Sequence, residues 1–183
     1  MWCTKMVNIA DANGVELINK IASEIKKKDE FKQPEWTIYV KTGCNRERNP
    51  ANPDWWYVRV ASIFRRIYFN GPVGTERLRS YYGGRKRRGV KPPEFRKAAG
   101  KIIRVSLQQL DKAGYLKKEK KGRLVSAKGE SFLLKLAKEV VKENKQNTKE
   151  VEHTIHEVKS HENKVHEVKN ETKIENKIIS EGK

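Results

Sequence analysis

The densest chemistry in this sequence is Arg85-Lys86-Arg87-Arg88, set between Gly83-Gly84 and the stretch Gly89-Val90-Lys91-Pro92-Pro93. An arginine fork donates to two phosphate oxygens at once, which a lysine ammonium does not match. Flanking glycines let backbone N–H groups approach a phosphate, and Tyr81 and Tyr82 just upstream carry rings that could stack on unpaired bases. Other cations are spaced to converge with this run: Arg59, Arg65 and Arg66 in one helical stretch, Arg77 and Arg79 in the next, Lys101 and Arg104 in a third. Together they suit an anionic polymer. Each also has a plainer reading, because charged helix faces are commonly just solvated and aromatic residues such as Trp55, Trp56, Tyr68, Tyr81 and Tyr82 commonly fill a core. The four-charge run in a Gly/Pro-rich segment favours phosphate contact, whereas Arg59 or Arg104 taken singly fits either reading.

Catalysis has little to work with. All four histidines lie beyond residue 152, so residues 1–142 lack the commonest general base and metal ligand. Phosphate-cradling GxxxxGK[ST], dinucleotide-binding GxGxxG and nucleophile-bearing GxSxG patterns are absent, and no carboxylates pair outside ordinary helix surface. His153 and His156 form an exposed pair without a third ligand, which is polar surface rather than a metal site. Cys3 and Cys44 are isolated thiols, suited to a reducing compartment. The sequence therefore predicts no enzyme, no cofactor, no metal and no small-molecule substrate.

Charge supports a polyanion partner. Lys and Arg number 41 against 23 Asp and Glu, a net +18. From 143 to 183 there are eight Lys and nine Glu, so the whole excess lies in residues 1–142. The 143–183 segment has no Arg, Trp, Tyr, Phe or Leu and repeats the pentads His156-Glu-Val-Lys-Ser, His161-Glu-Asn-Lys-Val and His166-Glu-Val-Lys-Asn. A period of five keeps no apolar face on a helix of 3.6 residues per turn, so this extension is expected to be disordered or transiently helical. No run approaches the roughly 18 apolar residues of a spanning helix, and the first residues lack a signal-peptide pattern; a soluble intracellular protein is expected.

The elements that must position these cations are mostly helical. Val15, Leu17, Ile18, Ile21, Ala22 and Ile25 fall at helical spacing after Asn13-Gly14, and a short helix is expected from Pro34 to about Val40. Residues 41–53 have loop composition. Asn52-Pro53-Asp54 reads as cap, first turn and dipole-facing acid of a helix running to about Phe69, with Trp56, Val60, Ile63, Phe64 and Ile67 as its apolar stripe. Thr75 is expected to cap a helix reaching Tyr82, after which 85–93 reads as a basic loop. Another helix is expected over Lys97–Ala113, with Lys101, Arg104, Gln108 and Asp111 facing out, followed by a hairpin from Tyr115 to Ser126 and a last helix capped by Ser126. Helices leading into a helix–hairpin unit describe a mainly α, winged-helix-like domain with a short β-hairpin wing and extra helices over 1–142, plus a low-complexity C-terminal extension over 143–183.

Five segments in register resemble one family: Asn-Pro-Asp-Trp-Trp-Tyr-Val-Arg (52–59), Phe-Arg-Arg-Ile-Tyr (64–68), Gly-Pro-Val-Gly (71–74), Tyr-Tyr-Gly-Gly-Arg-Lys-Arg-Arg-Gly-Val-Lys-Pro (81–92) and Leu-Gln-Gln-Leu-Asp-Lys-Ala-Gly-Tyr (107–115). They are similar to small-subunit ribosomal protein nineteen of the archaeal and eukaryotic type, with an archaeal lean, over about Val15 to Val141. The resemblance implies a winged-helix-like fold in the head of the small ribosomal subunit, in the cytoplasm, bound to small-subunit ribosomal RNA and neighbouring ribosomal proteins and needed for late subunit maturation. It implies RNA contacts at Arg59 and Arg65, over Gly83–Arg88, and at Arg104. With the wider basic set, the expected RNA-binding residues are Arg59, Arg65, Arg66, Arg77, Arg79, Gly83, Gly84, Arg85, Lys86, Arg87, Arg88, Lys91, Lys101 and Arg104. No membrane partner is expected, and the free protein is expected to be a monomer. The first dozen residues, including Trp2 and Cys3, depart from the short start expected of the archaeal type, and the pentad extension has no counterpart in the family pattern. Two rivals share parts of this reading: a winged-helix DNA-binding regulator, and a scaffold that recruits a protein through its repeats.

Overall fold

The computed structural model describes residues 8–146, and the expectations for the first seven residues and for 147–183 lie outside them. In chain order the elements are α1 (Gly14–Lys26), α2 (Trp55–Asn70), α3 (Thr75–Tyr81), β1 (Gly84–Arg88), β2 (Lys91–Arg96), α4 (Gly100–Lys112), β3 (Leu116–Glu119), β4 (Gly122–Val125) and α5 (residues 127–146), with short 3-10 turns at Ile9–Asp11, Asp29–Phe31 and Glu35–Ile38. The first of two compact units ends at Val140, within α5. No helix among the described residues is long and apolar enough to cross a membrane.

Helix α2 is the axis of the core. Trp56, Val60, Ala61, Ile63, Phe64 and Ile67 recur at three- and four-residue steps and are all fully buried. Against them pack Leu17, Ile21 and Ile25 of α1, Ile103, Leu107 and Leu110 of α4, and Leu133 and Leu136 of α5. Phe64, Tyr115 and Phe132 join rings at centroid distances of 5.2–6.5 Å, which ties α2, the turn after α4 and α5 together at one end. At the other, the Trp56 indole donates to Gln109 Oε1 at 3.2 Å, and the Gln109 amide donates to the Lys32 carbonyl at 2.8 Å. The indole N–H is thus satisfied in a buried setting, as its burial requires.

The winged-helix arrangement is present. After α4, Gly114 and Tyr115 lead into the β3–β4 hairpin, and a bridge between Val73 and Arg123 adds a short strand-like segment beside β4. Gly122 makes that pairing possible, because its φ is +146° and a Cβ there would stand 2.7 Å from the Val73 backbone. Arg123 Nε donates to Asp111 Oδ2 at 2.9 Å, so Asp111 pairs with the wing rather than simply facing solvent. Ser126 opens α5 as expected, its hydroxyl accepting from the Gly129 N–H at 3.2 Å and donating to the Gly114 carbonyl at 2.6 Å.

Several boundaries differ from the sequence expectation. Asn52 caps the turn before α2, accepting from the Asp54 N–H at 2.9 Å, and the helix itself begins at Trp55 with Asp54 as N-cap. Thr75 is the first residue of α3, and Gly74 is its N-cap. Helix α4 starts at Gly100 rather than Lys97, because Ala98 and Ala99 pair with the backbone of Arg79 and Thr42. The expected helix at 34–40 is a single 3-10 turn, and Val15 faces out.

The larger correction is at 85–93, which is a β-hairpin and not a loop. Strands β1 and β2 pair antiparallel with Gly84 opposite Arg96, Lys86 opposite Glu94 and Arg88 opposite Lys91. Between the last two pairs β1 advances two residues and β2 three, so Pro92-Pro93 form a bulge opposite Arg87. A bulge is where a strand tolerates residues that cannot donate a ladder hydrogen bond.

Candidate nucleic-acid interface

The β1–β2 hairpin stands out from the body. All of Arg85–Arg96 is exposed, and Val90 at its tip is fully so. Its root is fixed at Gly83, where a Cβ would meet the Arg96 carbonyl at 2.6 Å and the Phe95 ring at 2.7 Å. The Gly83 N–H donates to the Ser80 carbonyl at 3.2 Å, so this glycine serves packing and turn geometry rather than an open phosphate contact. Gly84 is the first ladder residue of β1.

The hairpin's cations fall into two groups that the sequence does not distinguish. Arg88 pairs with Glu94 at 3.1 Å and donates to the Pro92 carbonyl at 3.0 Å, and Arg96 pairs with Glu94 at 2.9 Å. These two close the hairpin across the bulge. Arg85, Lys86, Arg87 and Lys91 are exposed and make no ion pair with any described residue.

The α2 arginines are held by aromatic rings. The Arg59 guanidinium lies 4.4 Å from the centre of the Tyr82 ring, Arg66 lies 3.9 Å from that of Tyr81, and Arg65 lies 4.7 Å from that of Phe69. Stacking fixes a guanidinium's plane while leaving its N–H edge unpaired. The buried Nε atoms of Arg65 and Arg66 have no hydrogen-bond partner among the described residues. Burial lowers the pKa of Arg59, the neighbouring Tyr82 offsets part of this, and the like charge of Arg46 lowers it further. Tyr82, its hydroxyl at 2.8 Å from that of Ser62, has its own pKa raised by burial. The two tyrosines thus orient arginines, a role distinct from the core filling or base stacking that the sequence suggests for them.

Arg79 is different. Its Nε donates to the Ala98 carbonyl at 3.2 Å and its Nη1 pairs with Glu76 at 2.6 Å, while Lys97 pairs with the other Glu76 oxygen at 3.1 Å. It braces α3 against the segment entering α4. Lys101 sits with its ammonium 4.7 Å from the centre of the Trp36 ring, and Arg77 and Arg104 are exposed without an ion pair among the described residues.

Two arginines that sequence reasoning passed over belong to the same surface. Arg46 and Arg48, from the loop at 41–53, line a cleft with Trp55, Arg59 and Tyr82. Their signal was the alternation Arg46-Glu47-Arg48 ahead of Asn49-Pro50, which reads as ordinary loop chemistry until α2 is seen behind it. Among the described residues no group of three or more His, Cys, Asp and Glu could hold a metal ion.

Fold and surface together define a mainly α, winged-helix-like domain with exposed hairpin cations, Arg85, Lys86, Arg87 and Lys91, that make no ion pair among the described residues. The comparisons with known proteins are specific. The model of the family described as ribosomal protein S19e matches residues 8–143. Small ribosomal subunit protein eS19 of Aeropyrum pernix is 42% identical over 150 residues, covering 80% of this chain and 98% of that protein. The eS19 protein of Thermoplasma acidophilum is 39% identical over 138 residues, covering 75% and 92%. The protein eS19G of Ascaris suum is 40% identical over 138 residues, covering 74% and 93%. The chain belongs to the ribosomal protein S19e family, of archaeal and eukaryotic type, which is structural and not enzymatic.

Proposed function

We propose that this protein is a structural constituent of the small subunit of the cytoplasmic ribosome that holds ribosomal RNA on its basic surface and supports maturation of the subunit. Neighbouring ribosomal proteins are its other partners, and the free chain is a monomer. One observation carries the RNA reading: Arg85, Lys86, Arg87 and Lys91 project on an exposed hairpin without an ion pair among the described residues, beside arginines of α2 set by stacking. A cluster of like charges disfavours the compact state unless an anion completes it.

The DNA-regulator alternative is not favoured. Regulators of helix-turn-helix type present a recognition helix joined to its predecessor by a short turn. Here the hairpin of 84–96 interrupts the chain between α3 and α4, and the cations spread over α2, the hairpin and α4, which suits irregular RNA.

The test is the salt dependence of binding between the full chain and small-subunit ribosomal RNA. With six or more phosphates engaged, affinity is expected to fall on the order of a thousandfold from about 50 to about 200 mM salt. A nearly flat dependence would overturn the proposal.

A further inference from the structure

The cleft between the 41–53 loop and α2 gathers arginines and aromatic rings. It encloses about 500 Å³, within the range of pockets that hold small organic groups. Arg46, Arg48 and Arg59 line it, together with Asn49, Trp55 and Tyr82, and no carboxylate lines it. Arg59 is half-buried with its guanidinium on the Tyr82 ring, and Arg46 is near enough for its charge to act on Arg59. Two like charges therefore line one cleft, one of them partly out of water, and no carboxylate lines it with them. Such an arrangement is completed by a phosphate.

The rest of the lining suits what is attached to a phosphate. Trp55 is half-exposed on the cleft wall, steadied from behind by edge contact with Trp56 at a ring-centre distance of 5.8 Å. A rigid indole beside an arginine cluster matches a base that has left its stack, and the Asn49 and Asn52 amides offer donors and acceptors to its edge. The tyrosine ring is already covered by Arg59, which leaves Trp55 as the stacking surface.

We infer that this cleft is a pocket for one extruded nucleotide of RNA, its phosphate held by Arg46 and Arg59 and its base stacked on Trp55. The inference rests on the RNA-binding reading and deepens it. The hairpin grips backbone wherever it lies, and the cleft reads local structure by taking a nucleotide only where one is unpaired.

The experiment compares the affinity of the full chain for a perfectly paired RNA duplex and for the same duplex with one unpaired adenosine. The bulged duplex is expected to bind about tenfold more tightly, the scale of one base–aromatic stack. Trp55→Leu should remove that preference, so that the variant binds the two duplexes alike. Arg46→Gln, at an exposed loop position, should weaken binding of the bulged duplex more than that of the paired one. Arg85→Gln with Arg87→Gln should weaken both duplexes alike. A melting curve for the Trp55→Leu variant shows that its fold is retained, and Arg46→Gln gives an independent reading should it unfold. Equal affinity for the two duplexes, or a preference that survives both cleft substitutions, overturns the pocket and leaves the RNA-binding reading standing. Failure to bind either duplex sinks that reading, and the pocket with it.

Discussion

Arg79 and Arg87 are the same residue type in similarly basic company, yet they occupy opposite ends of a scale. Arg79 is tied to Glu76 and to the Ala98 carbonyl across the α3–α4 junction, whereas Arg87 meets no carboxylate among the described residues. Arg79→Ala removes a brace and leaves the Ala98 carbonyl without that donor, so we expect a loss of roughly 1–2 kcal/mol. The corresponding fall in melting temperature is about 2–8 °C for a domain of this size, measured by circular dichroism. An unchanged melting temperature would mean the brace is cosmetic. Acid acts on the same junction. Hydrogen bonds from Arg79, then Lys97, hold the Glu76 carboxyl below its ordinary range, so its contribution is complete above that range and is lost as pH falls through the lowered value. None of this pairing was legible in the sequence. A basic residue's partner is set by tertiary approach, and Arg79 entered the predicted binding set on charge alone.

Helices were legible because each carries its own periodic signal: the apolar stripes of α1, α2, α4 and α5 name their buried faces directly. The β1–β2 hairpin carries none. Both its faces are exposed, so no alternation of apolar and polar residues marks it, and Pro92-Pro93 argue against a strand unless a bulge receives them. Cleft residues Arg46 and Arg48 were missed for a related reason, since a loop has no period to show which side chains turn inward. The hairpin yields its own prediction. Arg85→Gln with Arg87→Gln leaves Arg88, Arg96 and Glu94 in place, so the melting temperature should stay nearly constant, as surface changes usually stay within about 0.5 kcal/mol. Incorporation into small subunits should fall sharply. Normal incorporation of the double variant would show these cations to be merely solvated. Arg88→Gln, by contrast, removes the ion pair that closes the hairpin and should loosen it as well as weaken binding.

At the scale of the whole chain, the charge break near residue 143 was visible by counting alone, and all the excess cation lies before it. The described part of α5 continues to residue 146, while its buried contacts end with Val140. We therefore expect a chain ending at residue 146 to retain cooperative thermal unfolding and an unchanged salt dependence of RNA binding. A truncated chain that melts broadly would show that the repeats contribute to the fold. The winged-helix order was also legible, because a periodic helix, a Gly-bounded hairpin and a Ser-capped helix follow one another from Lys97 to Val140.

The central claim is that this chain works as a stoichiometric part of the small ribosomal subunit. It is tested most directly by sedimenting a lysate of cells that make the protein through a density gradient at moderate salt and quantifying the chain in each fraction. The chain is expected to travel with small subunits at close to one copy each and to leave them only when high salt strips RNA contacts. A chain that stays at the top of the gradient with free proteins, or that follows DNA, would contradict it.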